Sequence, residues 1–142
     1  MPRPTPYYKP TNFPNGITVG ARSTINSGDK IQAMRLVPIT VVDGAAAGTF
    51  EMPSGAVVSS YQIDTPVTIP GTPTNTNLRL GSAANGQQYV ADVDVKTQGV
   101  ITATIVYAGR TPATTVYYTV ASSGGTAASQ DGTVNLRVHY TV

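Results

Sequence analysis

The segment TVNLRVHYTV, residues 133–142, alternates without a break. Val134, Leu136, Val138, Tyr140 and Val142 fall on one side, and Asn135, Arg137, His139 and Thr141 on the other. That is the period of a strand with one face in a core and one in water. Outward from it, QQYVADVDV (87–95) predicts Tyr89, Ala91, Val93 and Val95 inward with Asp92 and Asp94 outward, and VITATIVY (100–107) and TTVYYTV (114–120) alternate as well. Further strands are predicted over 31–42, 49–52, 56–63, 67–69 and 77–80, and FEMPSGAVVSSYQI (50–63) reads as strand, turn, strand. No segment has a helical period.

The turn chemistry agrees. Asp43-Gly44, Asn85-Gly86 and Asp131-Gly132 tolerate positive φ at low cost, so each suits a tight reversal. About eight short strands with regularly spaced turns predict an all-β antiparallel sandwich of jelly-roll type. Pro38 and Pro66 belong on edge strands or bulges, because neither can donate to a ladder. A chain of 142 residues is enough for one such core, which we place over 29–142.

Residues 1–28 differ in kind. Four of the first ten residues are proline, and TNFPNGITVG sets aromatic and β-branched residues between turn formers. The expectation is an extended arm, partly polyproline II, without a core of its own. Its apolar anchors Tyr7, Tyr8, Phe13, Ile17 and Val19 and its basic residues Arg3, Lys9 and Arg22 are the candidate contact residues, toward a partner or a sister subunit.

Composition excludes more than it proposes. Charged residues make up 11% of the chain against about 25% in ordinary soluble domains, so it solvates itself with hydroxyls and amides. A formal charge of +2 creates no strong field toward nucleic acid or an anionic membrane. The absence of cysteine removes disulfides, thiolate metal sites and cysteine nucleophiles. The first residues, MPRPTPYYKP, lack the apolar core of a signal peptide, and no window reaches the roughly 20 apolar residues of a membrane span.

No catalytic constellation emerges. His139 is the single imidazole and falls on the solvated face beside Arg137 and Thr141, so it supports neither a triad nor a two-histidine metal site. Asp64, Asp92 and Asp94 are the nearest approach to a calcium site, but they lack a dedicated ligand loop. SSGGTAAS (122–129) has no lysine and opens no helix, so it is a loop rather than a phosphate cradle. We expect no enzymatic activity, no metal and no cofactor.

The order of features carries a resemblance. FEMPSGAVVSSYQI, then NLRLGSAANGQQYVADVDV, then Gly99, and finally DGTVNLRVHYTV resemble the small jelly-roll decoration or cement proteins on the outside of tailed-bacteriophage capsids, and NFPNGITVG is similar to the arms of phage virion proteins. The resemblance implies a homo-oligomer, dimer or trimer, made in the host cytoplasm and carried on the outer surface of the virion. There it would contact the major capsid protein and hold neighbouring capsomers together, with no direct nucleic-acid or membrane partner.

Two other classes fit a β-sandwich. A carbohydrate-binding or host-adhesion module would present aromatic platforms to a surface glycan, for which Tyr61, Tyr107, Tyr117 and Tyr118 are the candidates. A small-virus shell protein would use a basic arm on RNA, but the basic residues here are few and diluted by proline. Outward Val90, Val100, Val106 and Tyr117 are the expected oligomer faces.

Overall fold

A computed structural model describes residues 11–12, 18–19, 31–103, 114–125 and 130–142. Its strands, in chain order, are β1 (Thr11–Asn12), β2 (Thr18–Val19), β3 (Gln32–Val41), β4 (Ala45–Glu51), β5 (Val57–Thr65), β6 (Asn75–Gly81), β7 (Val90–Asp94), β8 (Gly99–Ala103), β9 (Thr115–Ser123) and β10 (Gly132–Thr141). No helix occurs among the described residues.

Pairing follows one rule. β3 pairs with β10, β4 with β9, β5 with β8 and β6 with β7, all antiparallel, so the first half of the domain meets the second half in reverse order. This is a long two-stranded ribbon with its tip in the β6–β7 loop. Rolling the ribbon brings β10 against β5 and β9 against β6, which gives two four-stranded sheets, β3-β10-β5-β8 and β4-β9-β6-β7. The architecture is that of an eight-stranded jelly roll.

The two inner faces make the core. Leu136 of β10 lies between Val37 and Ile63, and across the gap Val120 of β9 lies between Ala46 and Leu78. Leu136, Leu78, Ile39 and Val134 are fully buried, as the alternation requires. Each such side chain contributes roughly 1.5–3 kcal/mol on leaving water, so a strand with several of them has a strongly preferred face. Val142 lies past the end of β10 and is 52% exposed, which corrects its expected place on the inner face.

Two bulges overturn the simple alternation. In β5 the register shifts so that Ser60 opposes His139 but Val58 opposes Tyr140. The extra residue, Ser59, donates its hydroxyl to the His139 carbonyl at 3.0 Å. In β7, Val93 opposes Leu78 but Val90 opposes Leu80, so two residues, Ala91 and Asp92, stand across from Arg79. The extra residue turns Val90 into the core and Ala91 out to solvent, the reverse of the expectation for both. Burying a valine instead of an alanine decides the parity.

The punctuation is met in part. Asp43 and Gly44 have φ of 49° and 73°, and Val42 and Ala45 exchange backbone bonds of 3.0 Å, so this pair makes the two-residue reversal that carries the chain from one sheet to the other. Asn85 also has positive φ, at 60°. Asp131-Gly132 makes no such turn: Gly132 opens β10. Residues 67–69 are not a strand either. Ile69 is nevertheless fully buried, with its N–H donated to the Lys96 carbonyl at 2.8 Å.

Pro38 lies on β3, an edge strand, as expected, and Pro66 falls just beyond the end of β5. Of the expected arm, only two short strands are described; Thr11 opposes Val19 and Asn12 opposes Thr18 in a two-stranded sheet of their own.

The β7 bulge makes opposite demands on adjacent residues. Val90→Asp places an unpaired carboxylate in the core and should cost about 3 kcal/mol or more, whereas Ala91→Asp should stay within about 0.5 kcal/mol of the parent. Urea denaturation of the two variants checks the assignment; equal losses would contradict the bulge.

Candidate interaction surface

The acidic residues are committed to separate structural tasks. Asp64, on the outer face of the first sheet, pairs with Arg137 at 3.2 Å. Asp92 on β7 pairs with Arg79, accepting from Nη2 at 2.6 Å and Nε at 2.9 Å. Asp94 Oδ1 accepts the N–H groups of Thr76 and Lys96, both at 3.1 Å. The three carboxylates do not converge, and among the described residues no group of three His, Asp or Glu side chains is placed to hold a metal ion. His139 is half-buried on β10, opposite Met34 of β3 and Ser60 of β5.

Hydrogen bonds tie one end of the sandwich into a cap. It gathers the β3–β4 turn, the β5–β6 and β7–β8 connections, and Gln130 and Asp131 ahead of β10. Lys96 Nζ donates to the Gly71 carbonyl at 2.7 Å and also to that of Pro73, while Gln98 N–H meets the Thr68 hydroxyl at 3.0 Å. Asp43 N–H donates to Asp131 Oδ1 at 2.9 Å, which ties the turn to the residue before β10.

Beneath the cap, Gln130 is fully buried. Its Nε2 donates to Thr76 Oγ1 at 2.7 Å, its Oε1 accepts from Ser122 Oγ at 2.5 Å, and its carbonyl takes the Gly44 N–H at 2.9 Å. Its bonds therefore reach β6, β9 and the β3–β4 turn. No buried side-chain polar atom among the described residues is left without a partner, which is the condition for such a network to stabilise rather than cost.

A shallow depression lies on this end, walled by Pro66, Val67, Pro70 and Thr133 with Asp131 at its rim. Val67 is 72% exposed and Val42 57%, so the cap presents apolar side chains on a backbone held by hydrogen bonds. A second apolar exposure lies on β3, where Met34 and Leu36 are 50% and 53% exposed. Neither was identified from the alternation. The signal was present in QAMRLVPITV, which is apolar on both faces: Val37, Ile39 and Val41 inward, Met34 and Leu36 outward.

The aromatic platform expected for sugar binding is weakened. Tyr61 is a core residue at 2% exposure, and burial, with a smaller effect from Tyr89, pushes its phenol well above the ordinary tyrosine range. Tyr117 and Tyr118 are half-buried, Tyr118 covering Gly48 of β4, and Tyr107 lies outside the described residues. Of the expected oligomer faces, Val90 is buried, Val100 is exposed and Val106 lies outside the described residues. Arg3, Tyr7, Tyr8, Lys9, Phe13, Ile17 and Arg22 lie outside the described residues too; Val19 is described only as the backbone partner of Thr11.

The described part of this jelly roll offers exposed apolar side chains for surface contact, and its carboxylates Asp64 and Asp92 are paired with arginines. Comparison with known proteins points the same way. No protein-family model and no curated protein matches the chain. Among solved structures it is similar to a chain of the Ralstonia phage GP4 capsid, with 25% identity over 85% of this chain and 91% of that one and a TM-score of 0.51. It also shares its fold with a chain of the cyanophage Pam1 capsid asymmetric unit, at 22% identity over 88% of this chain and 97% of that one, TM-score 0.53. The likeness supports a structural role in a phage capsid.

The cap depends on the neutral amide of Gln130. Gln130→Ala removes one partner each from Thr76 and Ser122, which keep their mutual bond and that of Ser122 to the Gly44 carbonyl, and empties a buried site, and should cost about 2–3 kcal/mol. Gln130→Glu adds a carboxyl that burial holds above its unfolded value of about 4.3. The variant should therefore be most stable below about pH 4 and lose stability as pH rises through the folded value. Thermal melts of parent and variant at pH 4 and pH 7 check this; an identical pH dependence would mean that the site is open to water.

Proposed function

We propose that this protein is a structural virion protein of a bacteriophage, one that binds the outside of the capsid and stabilises it by bridging major capsid protein subunits. The observation that carries the reading is the likeness to the GP4 capsid chain along most of both chains. The described residues support it in kind, with apolar side chains displayed on a bonded cap and along a sheet edge, and no metal-holding cluster among them.

The physical logic is linkage. A protein that binds only the assembled shell, across a subunit boundary, stabilises that shell by mass action and by avidity. A sandwich with a hydrogen-bonded cap keeps its contact surface preorganised, which lowers the ordering cost of binding. The chain acts as a homo-oligomer, made in the host cytoplasm and carried on the outer surface of the particle. It attaches largely through residues 1–28. Extended segments with Tyr7, Tyr8, Phe13, Ile17 and Val19 as anchors and Arg3, Lys9 and Arg22 as charges can add a strand to a neighbouring sheet edge, and their prolines restrict the free chain beforehand.

A chain lacking residues 1–28 tests the reading. Circular dichroism should show a folded β protein, and added to particles stripped of the full-length protein it should fail to bind. Full occupancy by the truncated protein would move the attachment surface to the cap and the sheet edges.

A further inference from the structure

Among the described residues four edge strands, β3, β4, β7 and β8, border the two sheets. β7 carries a bulge and the outward carboxylates Asp92 and Asp94. β4 begins AAAG and ends in the exposed carboxylate of Glu51. β8 is described over Gly99–Ala103, and the residues that follow it, 104–113, lie outside the described set. Bulges and charges are the usual protections of an edge. β3 has no bulge over its first half, and its one charge there, Arg35, falls on the side of Val37 and Ile39 rather than on that of Met34 and Leu36.

The open half of β3 can be read from its ladder. Ile31 and Val142 exchange both backbone bonds, N to O at 3.3 Å and 3.1 Å. The register with β10 then runs without a shift from Gln32 to Val41. In an antiparallel ladder such pairs alternate, so Gln32, Met34, Leu36, Pro38 and Thr40 aim their backbone groups away from β10. Among the described residues no strand receives them. Pro38 has no N–H to offer at its outward position, and the stretch ahead of it, Gln32 to Leu36, is left with donors and acceptors intact. The same stretch carries the exposed Met34 and Leu36.

We infer that this stretch of β3 pairs antiparallel with β3 of a second copy, joining two four-stranded sheets into one across a two-fold axis. The inference rests on the homo-oligomer reading above and names its surface. The sequence is self-complementary about Met34. A two-fold axis there sets Met34 against the partner's Met34, Gln32 against the partner's Leu36 and Arg35 against the partner's Ala33. An axis through Arg35 would oppose two guanidinium groups and set Gln32 against a proline. Like charges directly opposite destabilise a pair, so the charge pattern selects the first register. An isologous contact of this kind closes on itself and leaves no further β3 edge to propagate.

Sedimentation of the full chain at micromolar concentration tests the interface. The parent should run as a dimer. Met34→Pro removes an N–H that β10 does not use, as Pro38 already does in the same strand, and should give a monomer with an unchanged circular dichroism spectrum. The double variant Met34→Lys, Leu36→Lys retains the N–H groups but brings charges together across the axis, and should weaken association by about tenfold, ~1.4 kcal/mol; it decides the matter if the proline variant does not fold. A dimer that survives both variants overturns the β3 interface while the oligomer stands. A monomeric parent overturns both, and neither result bears on attachment to the capsid.

Discussion

The structure depends on the insertion of β10 between β3 and β5. A strand in a sheet has two rows of backbone groups to satisfy, and β10 satisfies one with β3, near the start of the domain, and the other with β5. Leu136, Val138 and Tyr140 thereby become the centre of one wall of the core. Because β10 follows the other described strands in the chain, that sheet cannot close until all of them have been made. The mirrored placement of β9 between β4 and β6 completes the second wall. These pairings span most of the chain, and folds dominated by such contacts form slowly for their size.

The bulges and the cap make that roll possible. A regular ribbon has a fixed twist, and the extra residues at Ser59 and in β7 alter the local bend and reverse the facing of the residues beyond them. At the capped end, the β3–β4 turn and the β5–β6 and β7–β8 connections are drawn together by Lys96, Asp131 and Gln130, each bonding across a sequence gap. Gln130 is a neutral amide, so the lock carries no buried charge. The cap can then display Val42 and Val67 to solvent without losing its shape, since its backbone is held by hydrogen bonds and not by those side chains.

A capsid-associated protein has to keep its fold while leaving something to bind with. Here the inner faces are filled by apolar side chains and the internal polar groups are paired. Among the described residues, exposed apolar side chains remain on the cap, along the first half of β3 and on β8. The bulge and carboxylates of β7 and Pro38 on β3 restrict where another strand can add.

The sequence by itself determined the fold class, most of the strands and the inner face of β10, because alternation at a period of two is a local property that burial enforces residue by residue. It also determined that Asp43-Gly44 reverses the chain, since two successive positive φ values demand such residues. It did not determine the parity of β7 or of Val58 in β5, because a bulge is visible only against the partner strand. It assigned 67–69 to a strand, because Ile69 is as buried as any strand residue, although its backbone bond goes to a loop. The three aspartates looked like neighbours in a pattern; only the tertiary structure separated them, giving Asp64 and Asp92 each its own arginine. Which edge lies open was likewise decided by strand order alone, since exposure of Met34 and Leu36 depends on what does not pack against β3.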